Sequence, residues 1–119
     1  MTSPRDTICA LSTAPGHGAL AVVRLSGPAA RAIAATLTGR AADSFVDRRA
    51  TLARVRAARG VVDDVVLTLF SGPRSYSGED LVELSCHGNP LVAQATVEAA
   101  LAAGARPAEP GELTPRAFI

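Results

Sequence analysis

Two residues stand where their charge demands a partner. Arg24 lies near the end of an apolar run, residues 19–25. The two-residue alternation of a strand puts it on the face of Leu20 and Val22. Glu83 lies inside a second run, residues 81–86, on the face of Leu81 and Ser85. A guanidinium or carboxylate in such a place is costly unless paired. The two could pair with each other as a structural ion pair. Alternatively, each holds one end of a polar ligand. A carboxylate suits the adjacent N–H donors of an amino-pyrimidinone edge. A guanidinium fork suits a carbonyl or carboxylate.

Other polar side chains crowd the same stretch, residues 76–90. Glu79 and Asp80 follow Gly78 in a turn and read as solvated turn residues; neighbouring strand positions point to opposite faces, which argues against a paired-carboxylate catalytic site. Cys9, His17, Cys86 and His87 could supply four metal ligands, but their spacing matches no zinc pattern. Cys86 and His87 are consecutive and diverge, so Cys86 reads as core, with His87 at the strand end near the expected pocket. The glycine turn at Gly16 and Gly18 is no phosphate loop, because GxxxxGK(S/T) is absent from the chain.

Composition narrows the class. The 119 residues suit one domain, 1–119. Three Phe, one Tyr and no Trp leave the core to Val, Leu, Ile and Ala. All twelve basic residues are Arg, and the net charge is +1. The densest basic region, from Arg48 and Arg49 through Arg54, Arg56 and Arg59, holds no aromatic residue on which a base could stack. It reads as solvated strand faces and a loop. The N-terminus lacks the apolar region of a signal peptide, and no apolar run reaches the roughly 18–20 residues that span a membrane. A cytoplasmic protein with reduced thiols and no membrane partner is expected.

The elements that must position Arg24 and Glu83 follow from pattern. Residues 6–13 and 19–25 read as strands, the second well buried. Ser26 or Gly27 then caps a helix with Pro28 at its first position, and Ala30, Ile33, Ala34 and Leu37 form its apolar face. Gly39 stops it. Residues 40–49 read as loop, and 50–57 and 61–70 as strands joined at Arg59-Gly60. Asn89-Pro90 opens a second helix over about 91–103, with Ala93, Val97, Ala100 and Leu101 on its apolar face and Gly104 after it. The tail from Arg106, with Pro107, Pro110 and Pro115, reads mostly as loop. Strands mixed with amphipathic helices, without βαβ repetition, give an α+β fold: a mixed sheet with two or three helices packed on it.

Four motifs in this order carry a resemblance. They are Asp6-Thr7-Ile8 with Ala14-Pro15-Gly16; Val23-Arg24-Leu25-Ser26-Gly27-Pro28; Ser77-Gly78-Glu79-Asp80-Leu81-Val82-Glu83-Leu84 with His87-Gly88; and Pro110-Gly111-Glu112-Leu113-Thr114 with Arg116-Ala117-Phe118. Together they resemble the N-terminal domain of the MnmE (TrmE) tRNA-modification GTPases. The resemblance implies a fold similar to the folate-binding domains of aminomethyltransferases. It implies a homodimer that binds 5-formyltetrahydrofolate or 5,10-methylenetetrahydrofolate. In the family, an Arg in the strand before Ser-Gly-Pro and the second Glu of the Gly-Glu-Asp strand contact the folate. Those positions here are Arg24 and Glu83. With the flavoprotein MnmG, such proteins modify carbon 5 of the wobble uridine in tRNA, using GTP and potassium in a G domain set within a helical domain. His17, Cys86 and Asn89 depart from the family pattern, which has Arg, Gly and Gly there. The family continues past Ile119 into a further folate-contacting Lys, the helical domain and the G domain. The chain alone is therefore expected to be non-catalytic. The alternatives are a structural dimerisation module without folate binding, or a freestanding folate-dependent one-carbon transferase.

Overall fold

A computed structural model describes residues 6–12, 18–75 and 78–113. The expected turn at Gly16 with His17, and the motif after Leu113, lie outside them.

The elements run β1 (Ile8–Leu11), β2 (Leu20–Ser26), α1 (Ala30–Thr38), β3 (Ala50–Ala57), β4 (Gly60–Phe70), β5 (Leu81–His87), α2 (Pro90–Ala102) and β6 (Arg106–Pro107). Six strands form one sheet in the order β3-β4-β5-β2-β1-β6. Every pairing is antiparallel except β1 with β6, so the sheet is mixed and the fold is α+β.

Alternation decides which face each residue serves. Val23 and Leu25 of β2, Leu67 and Leu69 of β4, and Val82 and Leu84 of β5 all turn to one side and are buried. Ala30, Ile33, Ala34 and Leu37 of α1, with Ala93 and Ala100 of α2, join them in one core. Each fully buried Val, Leu or Ile contributes roughly 1.5–3 kcal/mol, so this aliphatic layer outweighs any surface ion pair at about 0–1 kcal/mol. The opposite face carries Leu20, Val22 and Arg24 of β2. Leu20 is exposed, so β2 is buried on one face only, short of the expectation.

The second helix matches its signals. Asn89 Oδ1 accepts from the Leu91 N–H at 2.8 Å, and Pro90 is the first helical residue. The first helix differs. It starts at Ala30, and neither Ser26 nor Gly27 caps it. Ser26 Oγ instead donates to Glu79 at 2.9 Å. No side chain caps the first turn; the chain just before the helix is held from 22 residues back, where the Ala29 N–H donates to Thr7 Oγ1 at 2.8 Å. Gly27 permits this approach. Its φ is +140°, and a Cβ there would stand 2.6 Å from Thr7 Cα. Gly39 ends the helix at φ 68°.

Two segments read as loop hold more structure. Residues 40–49 contain a 3-10 turn, Ala42–Ser44, and a buried Phe45. The tail begins with β6, whose Arg106 N–H donates to Thr7 O at 2.8 Å. No helix among the described residues is long and apolar enough to cross a membrane.

Gly27→Ala is expected to destabilise the domain by about 2 kcal/mol or more, since it combines left-handed strain with a clash on Thr7. A denaturant midpoint within error of wild type would refute this. Burial pushes the Cys9 thiol up to about 12 and raises Cys86 as well. Both thiols stay neutral when folded, whereas the unfolded chain ionises them from about pH 9. The contribution of Cys9 to stability is thus full below pH 9 and is lost as pH rises toward 12, and that of Cys86 falls with rising pH in the same sense. Labelling by a thiol reagent at pH 8 should follow global unfolding, and fast labelling of the native protein would contradict the burial.

Candidate functional site

Strand register brings the two sequence-selected charges together. Arg24 and Glu83 are direct partners across β2 and β5. Arg24 Nε donates to Glu83 Oε2 at 2.8 Å. Their side chains are 30% and 24% exposed, so the pair is partly desolvated yet reachable. Of the two readings of these residues, the ion pair is the one present, and it does not exclude a ligand. The pair sits in a row across the sheet, Thr68–Glu83–Arg24–Ala10, on the face away from the helices.

A cavity of about 240 Å³ opens beside Arg24. Its floor is Ala10, Ser12 and Arg24, and its far wall is the turn holding Glu109, Gly111, Glu112 and Leu113. It is smaller than the roughly 300–1,000 Å³ that engulfs a drug-sized molecule, and so fits one end of a larger ligand. A bigger hollow of about 510 Å³ lies between the β3–β4 hairpin and α2. Alanines and valines line most of it, and its only charged lining groups are Arg59 and Glu98. Binding sites need convergent polar groups as well as volume, and the smaller cavity has Arg24, Ser12, Glu109 and Glu112 on its lining, so it is the stronger candidate.

The remaining candidates are dispersed. Glu79 and Asp80 are half-buried and hydrogen-bonded, a correction to the solvated reading. Glu79 accepts from Ser26, and Asp80 Oδ1 accepts from the Gly72 N–H at 3.0 Å. They tie the 71–80 connection to the end of β2. Cys86 is buried on the helix side, its Sγ 3.4 Å from Ala21 O, which bears out its reading as core. His87 points away from it, with Nδ1 2.7 Å from Asp63 Oδ1 and its ring 73% exposed. It stands four residues along β5 from Glu83, roughly 13 Å at strand rise, and so lies apart from the Arg24 cavity that it was expected to border. No group of three or more His, Cys, Asp or Glu suited to a metal occurs among the described residues.

Sequence reasoning missed a third charged group. Glu112 is buried and accepts from Arg106 through both carboxylate oxygens, at 3.1 and 2.6 Å. Arg106 Nε also donates to Asp6 at 3.1 Å. Glu112 and Asp6 together hold the Arg106 guanidinium above its ordinary pKa, the hydrogen bonds that Glu112 accepts contributing most. The only signal was Glu112 itself within Pro110-Gly111-Glu112, in a tail whose prolines masked any strand.

Fold and site together describe a one-sheet α+β domain in which Arg24, paired with Glu83, lines a small cavity. Residues 7–119 match the family described as GTP-binding protein TrmE N-terminus. The chain belongs to that family. It is similar to the tRNA modification GTPase MnmE of Akkermansia muciniphila, 46% identical over 100% of this chain and 27% of that protein. The proteins of the same name from Halorhodospira halophila and a Thermotoga species are 49% and 45% identical, each over 96% of this chain, and 24% and 25% of theirs. The chain thus spans about a quarter of the length of these relatives.

Proposed function

We propose that this chain is the tetrahydrofolate-binding and homodimerising domain of an MnmE-type tRNA modification GTPase. The observation that carries the reading is Arg24, which lines the 240 Å³ cavity and is held by Glu83, in a chain of the TrmE N-terminal family. The donor set fits the ligand. A half-buried carboxylate can take the paired N–H donors of a pterin edge, and the adjacent guanidinium can hold a carbonyl. The cavity accepts a ring, and the rest of the molecule extends into solvent. When bound, 5-formyltetrahydrofolate or 5,10-methylenetetrahydrofolate would supply the one-carbon unit. This chain's residues bind and orient it.

The homodimer has its own support. The open sheet face carries Leu52, Val66, Ser85 and Val22 in one row, and Leu20 beside it. Leu20 and Leu52 are 62% and 69% exposed, which suits a surface that a second copy covers. GTP hydrolysis with potassium, partnership with the flavoprotein MnmG, and modification of carbon 5 of the wobble uridine in tRNA would belong to the longer protein. Its setting would be the cytoplasm.

Calorimetric titration tests the reading. Wild type should bind 5-formyltetrahydrofolate, and Arg24→Ala and Glu83→Ala should each weaken binding by at least about 1.5 kcal/mol, the loss of a charge-assisted hydrogen bond. Equal affinity in all three proteins, or none in wild type, would defeat it.

A further inference from the structure

The Arg106–Glu112 pair, its carboxylate buried and its guanidinium partly exposed, stands outside the Arg24–Glu83 pair, yet it borders the same cavity. After β6, Ala108 still hydrogen-bonds β1 through its N–H to Cys9 O at 2.9 Å. The chain then turns. The Glu112 N–H donates to Glu109 O at 2.9 Å, and Gly111 takes φ 74°. Glu112 folds back under this turn, where Oε1 also accepts the Glu109 N–H at 2.9 Å. Its two oxygens meet the Arg106 fork, whose Nη1 also donates to Pro107 O at 3.1 Å. The third nitrogen, Nε, fastens the assembly to Asp6, just before β1.

One carboxylate thus closes the turn on itself, and one guanidinium fixes the turn to the sheet edge. The outer side of that turn, at Glu109, Gly111 and Leu113, faces Ala10, Ser12 and Arg24 across the cavity. A planar fork with a bidentate partner holds such a wall with more directional precision than a lysine ammonium could. Preorganisation of this kind lowers the ordering cost of binding and slows dissociation.

We propose that Arg106 and Glu112 are positioning residues for the ligand site: their ion pair sets the 108–113 turn as the wall that retains the ring end of the ligand against Arg24. The proposal rests on the folate reading above.

The test is binding of 5-formyltetrahydrofolate to the 119-residue chain by stopped-flow and calorimetry, at a temperature where each variant is folded by circular dichroism. Arg106→Lys and Glu112→Ala are expected to weaken binding about tenfold or more, with the loss in the dissociation rate. Glu112→Gln, which keeps an acceptor for the Glu109 N–H, should fall between them and wild type. Arg54→Ala, removing an exposed ion pair on the β3–β4 hairpin, should bind as wild type does. If Arg24→Ala loses affinity while Arg106→Lys and Glu112→Gln bind normally, the positioning role fails and the folate reading survives. If wild type binds nothing, both fail. Should Glu112→Ala not fold, hydrogen exchange at the Glu109 amide of wild type decides: ligand should slow it several-fold, and unchanged exchange would overturn the proposal.

Discussion

The candidate site depends on the register of β2 against β5. A one-residue slip would turn Arg24 into the helix-facing core and send Leu25 to the open face. The aliphatic layer forbids that slip, because Val23, Leu25, Val82 and Leu84 would all leave their contacts together. Hydrophobic burial therefore places the charges, and the ion pair follows from it. A partly exposed pair adds little stability of its own. Arg24 lines the cavity, and the proposed ligand binding is the use we assign to the pair.

The same logic separates two kinds of polar residue around the site. Ser26, Glu79, Asp80 and Thr7 spend their hydrogen bonds on backbone and on one another, and they fasten the loops that follow β2 and precede β5. Arg106 and Glu112 fasten the opposite border, next to β1. Between these two fastened borders lie Arg24, Glu83 and the cavity. The His87–Asp63 contact is built at the far end of β5 and serves that strand end instead, since Asp63 also accepts the His87 backbone N–H at 2.8 Å.

Local rules made much of this legible. Period-two alternation was enough to isolate Arg24 and Glu83, because each broke the polarity expected of its neighbours. Asn89-Pro90 and Gly39 marked helix ends because their conformational preferences act within one turn. What escaped the sequence was long-range. Ser26 looked like a cap, but its hydroxyl has a partner 53 residues away. Thr7 carried no sign that it would hold the entry of a helix across the chain. The two-residue β6, with a proline inside it, is too short for any periodicity, and Glu112 was hidden with it. The resemblance to the MnmE family covered those same motifs and foresaw the family, though not the Arg106–Glu112 pair.

The proposed folate binding puts the pterin end of a tetrahydrofolate in the cavity bordered by Arg24 and the 108–113 turn. A two-dimensional NMR titration of the isotopically labelled chain with 5-formyltetrahydrofolate tests this most directly. The predicted result is saturable shifts concentrated at Ala10, Ser12, Arg24, Glu83, Gly111 and Leu113, with the β3–β4 hairpin and His87 unmoved. Saturable shifts centred on the hollow between α2 and the hairpin, or no saturable shifts at all, would contradict it.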